Sequence, residues 1–396
     1  MRIVSIVIYF FIFLISFLVF SVAERTQNEK NKIIHLLLGV LILSVFAGVR
    51  NVSVGFDTER TLSFYFYPSA QVSSISAAAN LYTTNDPFYR VLSFLISRIS
   101  KSSFIFLFAM QLITSGSVAI VAYRERDKAS ISACMLMYML MFYLISFNII
   151  RQSAAAAVLL LAIVEYKNKR IKQTVVCAVL ACLLHNSGII GVALLIIAIV
   201  LSHSERVMYK IIALTIGIAG FTFVMIYWDS LARWIIGEGY VSGHYIGYVN
   251  IFSGGASAYS SKYVTMTSRT YLLEGLRGIE FILLLLCLST ARRSLQNYKM
   301  LFVYSVILSF AIYSWFVFWF HSYLGDRMSI FYDYVKILCF GYLLKIEPIN
   351  YSAVNKNRFV IGIKTGIPLI LGIYYIVYFF DLFMIHGYGG VIPYIL

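Results

Sequence analysis

Six residues whose side chains could take part in chemistry stand at the ends of long apolar stretches of this chain. They are three arginines, two aspartates and one histidine: Arg50, Arg151, Arg327, Asp57, Asp326 and His185. A guanidinium presents a rigid fork of donors that fits phosphate oxygens in pairs and stays charged at neutral pH. An imidazole or a carboxylate beside it can accept a proton from an attacking hydroxyl group. These residue types indicate binding of a phosphate-containing substrate next to a group that acts as a base.

Each of these side chains also has a purely structural interpretation. Arg50 and Arg327 could anchor helices at lipid headgroups, which is a common role of arginine at the ends of membrane helices. A single histidine such as His185 near the end of a helix is more often structural than catalytic. Two further sets of charged residues at helical spacing are expected to form structural ion pairs: Glu274, Arg277 and Glu280, and Asp333 with Lys336.

The composition indicates which class of protein must position these residues. Hydrophobic residues make up 61% of the 396 residues and charged residues 12%, with a mean hydropathy of +0.84. A typical soluble chain has about 25% charged residues. The chain is therefore expected to be a polytopic membrane protein. Its net charge of +15 comes from basic residues in short loops, which orient a membrane chain, so nucleic acid is not an expected partner. The five cysteines lie in apolar stretches without metal-site spacing and are interpreted as packing residues.

Apolar stretches divide the chain into transmembrane segments. One helix needs about 20 apolar residues, and somewhat fewer where its neighbours shield the ends. This criterion predicts an all-α architecture of about twelve helices in a single integral membrane domain, residues 1–396. The predicted spans are 3–23, 33–49, 102–122, 129–148, 150–166, 173–186, 187–202, 211–228, 275–290, 300–321, 325–344 and 359–382.

Loop charges predict the orientation of these spans. Six short loops that fall on one side of the twelve-span arrangement hold more than half of the 32 Lys and Arg residues. The positive-inside rule makes that side cytoplasmic, so both termini lie outside. The other side carries two long outer loops, 50–101 and 229–274. The second is rich in Gly, Ser and Tyr, and its tyrosine rings could stack on sugars.

The first outer loop contains a predicted short helix. Asp86 and Pro87 suit its N-cap and first position. The helix is too short to span the membrane and is expected to lie in the outer interface or dip into it. Its apolar face, Phe88, Val91, Leu92, Leu95 and Ile99, lies opposite Arg90, Ser97 and Arg98.

The predicted topology places the six candidate residues on one outer face, although they are far apart in sequence. An arginine cluster at headgroup level suits a lipid-linked diphosphate. His185 could accept the proton of an attacking sugar hydroxyl, and Asp57 could do the same or orient the imidazole.

Five short motifs, in this order along the chain, resemble those of the EpsG family of Wzy-like bacterial polysaccharide polymerases. They are AGVRNVSVGFDTERT, DPFYRVLSFLIS, IIRQSAAAAVLLLAIVEY, LACLLHNSGII and GDRMSIFYDY. The most specific part is Arg-Gln at the start of one span followed by His-x-Ser at the end of the next. The resemblance implies a GT-C-like multi-spanning glycosyltransferase of O-antigen or exopolysaccharide biosynthesis. Such an enzyme joins undecaprenyl-diphosphate-linked oligosaccharide repeat units on the periplasmic side of the cytoplasmic (inner) membrane.

Carried over by position, the residues that match the family motifs are Arg50, Asp57, Arg151, Gln152, His185, Ser187 and Arg327. The expected catalytic residues are His185, Asp57 and Arg151, and the expected substrate-binding residues are Arg50, Arg327, Gln152, Ser187 and Asp326. Met328 departs from the usual appearance of the last motif. The implied reaction needs neither a metal nor a cofactor, because the arginines stabilise the departing diphosphate. Expected partners are membrane lipids, a chain-length regulator and a flippase.

Two other functions fit parts of the sequence. A GT-C transferase or ligase using polyprenyl-linked sugars would place acidic residues such as Asp57 and Glu59 in the first outer loop, often with a metal. A flippase for the same lipid-linked oligosaccharide would show internal repeats and helices broken within the membrane. No repeat is found, and the notable charges stand at the ends of spans, which favours the polymerase.

Overall fold

The computed structural model describes residues 2–81, 87–203, 268–290, 296–314, 324–345 and 358–395, with the single residues 208, 230 and 234. Within these ranges the chain is helical and forms no strand. The α-helices are α1 (Arg2–Arg25), α2 (Glu29–Val49), α3 (Thr58–Thr61), α4 (Tyr67–Gln71), α5 (Ile75–Ala79), α6 (Pro87–Ser97), α7 (Ser103–Arg124), α8 (Ile131–Tyr138), α9 (Ile150–Lys167), α10 (Ile171–Leu184), α11 (Gly188–His203), α12 (Ser268–Thr290), α13 (Gln296–Ser314), α14 (Leu324–Asp333), α15 (Val335–Leu344) and α16 (Arg358–Phe379).

Four helical segments in the described ranges are long and apolar enough to cross a membrane: Arg2–Arg25, Glu29–Val49, Ser103–Arg124 and Gly366–Ile385. The described ranges also contain shorter apolar helices, including α10 and α11, which both contact α9. These findings confirm the prediction of a helical, membrane-embedded protein. Twelve crossings and a GT-C-like arrangement stay predictions. The predicted eighth span, 211–228, and most of the predicted second outer loop lie outside the described residues.

Polar residues mark where the helices begin. The Asn28 side chain accepts a hydrogen bond from the Asn31 amide at the start of α2, and Ser102 accepts from Phe104 at the start of α7. Ser130 accepts from Ala133 at the start of α8. These caps satisfy amide groups that have no partner within the first helical turn. They explain why each helix starts at the edge of an apolar stretch.

Helix α9 lies at the centre of the described bundle. The four alanines at 154–157 are fully buried, and α7, α10, α11 and α14 all contact this helix. Small side chains let neighbouring helices approach closely within a membrane. The opposite end of α9 is held by a buried ion pair between Lys167 and Glu125, with the Tyr342 hydroxyl donating to the same carboxylate. The position of Arg151 and Gln152 at the start of α9 therefore follows from a rigid central helix.

Two predicted spans are interrupted. The span predicted at 129–148 begins as α8, continues as a π-helical turn at Met139–Tyr143 and ends in a 3-10 turn at Ile145–Phe147. The span predicted at 325–344 is two helices, α14 and α15, that meet at Tyr334. After the first interruption, Phe147 and Asn148 lie beside the loop that follows α2.

Helix α6 lies within the predicted first outer loop, but its polar side faces the protein. Arg90 and Ser97 are buried, at 1% and 3% exposure, whereas Leu95 and Ile99 are 49% and 75% exposed. In an apolar surrounding, exposing a hydrocarbon side chain costs nothing and exposing a guanidinium is expensive. The predicted amphipathic pattern is therefore present in part: Arg90 and Ser97 face the protein, whereas Arg98 of the predicted polar side is exposed.

Candidate active site

The residues that the sequence selected are held at one end of the bundle, which we call the arginine end. We define it by six residues: Asp57, Arg151, Gln152, His185, Ser187 and Arg327. Hydrogen bonds link five of them, and Arg151 directly precedes Gln152 in sequence. They come from the loop after α2, the start of α9, the α10–α11 connection and the start of α14. The predicted convergence on one face is thus found for these residues.

The centre of the arginine end is an ion pair between Arg327 and Asp57. Arg327 Nη2 lies 3.2 Å from Asp57 Oδ2, and the side chains are 39% and 36% exposed. A pair this exposed contributes little to stability, about 0–1 kcal/mol. Asp57 makes no capping hydrogen bond to α3, although it precedes that helix. Both groups are therefore accessible to a substrate.

Gln152 connects the elements around this pair. Its buried side chain donates through Nε2 to the Arg327 backbone carbonyl at 2.5 Å and to Ser187 Oγ at 3.4 Å. One amide group thus joins the start of α9 to α14 and to the residue before α11. Sequence reasoning placed Gln152 in the substrate-binding set, and its observed contacts are with the protein.

His185 ends α10 in an extended backbone conformation and turns its ring towards Ser187. The Ser187 amide donates to His185 Nδ1 at 3.1 Å, and Ser187 Oγ lies 2.6 Å from the same nitrogen. A backbone amide can only donate, so Nδ1 is an acceptor here and the neutral ring carries its proton on Nε2. Nε2 can then donate a hydrogen bond but cannot accept a proton. The two Ser187 contacts thus occupy Nδ1, the basic nitrogen of the neutral ring.

Arg151 stands over two tyrosine rings. Its guanidinium carbon lies 4.3 Å from the centre of the Tyr65 ring and 5.1 Å from that of Tyr89. The buried guanidinium of Arg90 lies 5.2 Å from the same Tyr65 ring. Cation–π contacts of this kind fix the orientation of a guanidinium. Sequence reasoning missed Tyr65 and Arg90, although the polar side of α6 was a signal for the latter.

Arg50 has different surroundings. Its side chain donates to the Ala47 carbonyl at 2.6 Å, stacks on the Phe147 ring at 4.1 Å and is only 4% exposed. Burial lowers its pKa to about 10, so it stays charged at neutral pH. The Tyr394 hydroxyl donates to the neighbouring Phe46 carbonyl. Arg50 thus caps the C-terminal end of α2, where carbonyls lack helical partners and a cation is favourable.

Asp326 belongs to α14, but its side chain lies outside what the structure describes. The predicted ion pairs are only partly as expected. Lys336 lies 3.6 Å from Asp333, as predicted, but Arg277 pairs with Asp333 at 3.4 Å and Lys336 with Glu280 at 3.1 Å, across helices. The side chain of Glu274 is not among the described ones. These four groups balance in charge and connect α12, α14 and α15, which suits a structural role.

The family model described as EpsG family matches residues 33–396. Searches of curated proteins and of solved structures found no match. Within the described ranges, no three His, Cys, Asp or Glu side chains are grouped so as to hold a metal ion.

Proposed function

This chain belongs to the EpsG family of polysaccharide polymerase-type membrane proteins, and we propose that it joins undecaprenyl-diphosphate-linked oligosaccharide repeat units. We propose further that the reaction takes place at the outer, periplasmic face of the bacterial cytoplasmic membrane. The basic loops predicted on the opposite side support this orientation. The product would be a chain of the O-antigen or exopolysaccharide type.

One observation carries the proposal, namely the exposed Arg327–Asp57 pair beside Gln152, Ser187 and His185. It combines a cation that can bind diphosphate with a carboxylate that can accept a proton. Polymerisation of lipid-linked sugars needs both functions within one site. A transporter would need the cation but has no use for a base.

The proposed reaction is a single glycosyl transfer. The hydroxyl oxygen of the incoming unit attacks the anomeric carbon of the growing chain, and the bond from that carbon to the diphosphate oxygen breaks. Asp57 takes the hydroxyl proton, and undecaprenyl diphosphate leaves with the bonding electron pair. The accessibility of its carboxylate supports Asp57 in this role.

The two partly exposed arginines have the proposed task of stabilising the leaving group. Arg327 and Arg151 present donor forks at the same end of the bundle, and negative charge on the diphosphate grows as the bond breaks. Donors positioned in advance for that charge act more strongly on the transition state than on the substrate. This chemistry requires no metal ion.

His185 receives a supporting role in this mechanism. Because Nδ1 accepts from the Ser187 amide, the proposed function of Nε2 is to donate a hydrogen bond to a substrate oxygen. Ser187 and Gln152 maintain the ring orientation through Ser187 Oγ. A flippase that delivers the lipid-linked units and a chain-length regulator are the proposed partners.

The decisive experiment is extension by the purified protein in lipid nanodiscs, supplied with a synthetic undecaprenyl-diphosphate-linked repeat unit. We expect a ladder of products on a gel, with release of undecaprenyl diphosphate at each step. In cells, deletion of the gene should leave lipid cores that carry one repeat unit and remove the ladder. An unchanged ladder in the deletion strain would contradict the proposal. Loss of all surface-exposed repeat units would indicate transport instead.

A further inference from the structure

The last residues of the chain run along the loop that carries Asp57. We define the C-terminal strap as residues 388–395, which follow Gly387. The Gly55 amide donates to the Gly390 carbonyl at 3.0 Å, and the Phe56 amide to the Gly389 carbonyl at 3.1 Å. The Asn51 amide donates to the Ile395 carbonyl at 2.7 Å. The loop and the strap therefore pair in opposite directions, with the last contact one residue before Asp57.

The strap itself is fixed to the first two helices. The Tyr394 ring stacks on Phe46 of α2 with centroids 4.4 Å apart, and its hydroxyl donates to the Phe46 carbonyl at 2.7 Å. Its amide donates to Ser5 Oγ at 2.9 Å. The Tyr9 hydroxyl donates to the Val391 carbonyl at 2.7 Å. The strap is thus a rigid support rather than a loose tail.

A second support comes from the residues just before α9. Asn148 Oδ1 accepts from the Phe56 amide at 2.7 Å, and the Thr58 hydroxyl donates to the Phe147 carbonyl at 2.9 Å. These contacts bracket Asp57 on both sides in sequence. They also tie the Asp57 loop to the helix that begins with Arg151 and Gln152.

We propose that the C-terminal strap positions Asp57 against Arg327, so that the strap and Asn148 are required for the chemical step. This inference rests on the proposed function of Asp57 as the base. Asp57 makes no helix-capping bond of its own, and its side chain pairs only with Arg327 in the described ranges. Its location is therefore set by the backbone on either side of it, which the strap and Asn148 hold.

Gly390 of the strap and Gly387, the residue before the strap, show how close this contact is. Gly387 and Gly390 both have a left-handed backbone, with φ of 62° and 65°. A Cβ atom at Gly390 would lie 2.7 Å from the Phe56 ring, whereas one at Gly387 would have no neighbour nearer than Arg2 at 3.9 Å. Alanine at either position carries the same backbone strain. Only alanine at 390 also displaces the ring of Phe56, the residue before Asp57.

The test compares Gly390→Ala with Gly387→Ala as a matched pair in purified full-length protein. We expect Gly390→Ala to lower kcat for chain extension about 10²-fold with little change in KM, because a small displacement of a catalytic group has effects of this size. Gly387→Ala should keep kcat close to that of the unmodified protein. Equal kcat in the two variants, whether high or low, would overturn the requirement for the strap in the chemical step.

A second readout does not depend on catalysis. Cysteines are placed at 57 and 327 and joined by a short thiol cross-linker, with each single-cysteine variant as a control for the native thiols. The cross-linking yield should be high with Gly387→Ala and several-fold lower with Gly390→Ala. Equal yields would overturn the inference. A lower yield with unchanged chain extension by Gly390→Ala would instead support the strap and contradict Asp57 as the base.

Conservative replacements separate positioning from folding. Asn148→Asp keeps the acceptor for the Phe56 amide and should retain kcat, whereas Asn148→Leu removes it and should lower kcat as Gly390→Ala does. Tyr394→Phe keeps the stack on Phe46 and should act better than Tyr394→Ala. If Asn148→Leu keeps full kcat, the support from that side is absent and the inference fails.

Discussion

Arg327 Nη2 lies 3.2 Å from Asp57 Oδ2, although 270 positions separate the two residues in sequence. The contact joins the loop after α2 to the start of α14. It brings a phosphate-binding type of side chain and a proton acceptor to one accessible place. The predictions below follow from this pair and from the residues around it.

The carboxylate of Asp57 should be essential, and that of Glu59 should not. Asp57→Asn keeps the size of the side chain but cannot take up a proton, so we expect kcat for chain extension to fall by about 10²–10⁴-fold. Glu59 is exposed on α3, the short helix that follows Asp57, and Glu59→Gln is the matched control. The rate at which product ladders form with purified protein gives kcat for both variants. Equal loss in both variants, together with inhibition by EDTA, would support a metal-dependent GT-C transferase instead.

Replacement by lysine should have different effects at Arg50 and at Arg151. Arg151→Lys loses the planar group over Tyr65 and Tyr89, and we expect severely reduced extension with normal protein levels. Arg50→Lys should mainly reduce thermal stability, because Arg50 caps α2, an effect of about 1–2 kcal/mol. Extension per folded molecule and the melting temperature are the two measurements. Lost extension by a stable Arg50→Lys protein would show that Arg50 binds diphosphate, as its sequence motif implies.

Two replacements of His185 test which nitrogen matters. Asparagine can still accept from the Ser187 amide but has nothing at the position of Nε2, whereas alanine loses both. We expect His185→Asn to be as stable as the unmodified protein but much less active, and His185→Ala to be less active and less stable. Ser187→Ala, which keeps the amide donor, should lose less activity than either. Full activity of His185→Asn would show that Nε2 is not needed and that His185 only stabilises the turn between α10 and α11.

The orientation in the membrane is tested by labelling single cysteines. Ser76 is exposed in the first predicted outer loop, and Asp127 is exposed in one of the basic loops. Cysteine at 76 should react with an impermeant thiol reagent in intact spheroplasts, and cysteine at 127 only after lysis. Protein with only its native cysteines provides the background. The reverse pattern would move the proposed reaction to the cytoplasmic side.

The sequence by itself determined the class of the protein, the main helices and the family. Long apolar stretches have to form helices in a membrane, because an unpaired backbone group is too costly there. The predicted boundaries of α1, α2, α7, α9, α10 and α11 consequently agree with the observed ones to within a few residues. The family motifs and the chemistry of Arg, Asp and His side chains identified the residues that meet at the arginine end. Residue type restricts the reactions that a side chain can support, whatever the fold.

Only the tertiary structure decided how those residues are used. Arg50 is buried as a cap of α2, whereas Arg327 is exposed and paired with Asp57. The local sequence pattern could not distinguish the two residues, since each stands at the end of an apolar stretch and within a family motif. Nor does any periodicity in residues 388–395 predict that they support the Asp57 loop. Such contacts join chain segments hundreds of residues apart. They depend on how the helices pack and where the backbone finds hydrogen-bond partners, and a local sequence pattern carries neither kind of information.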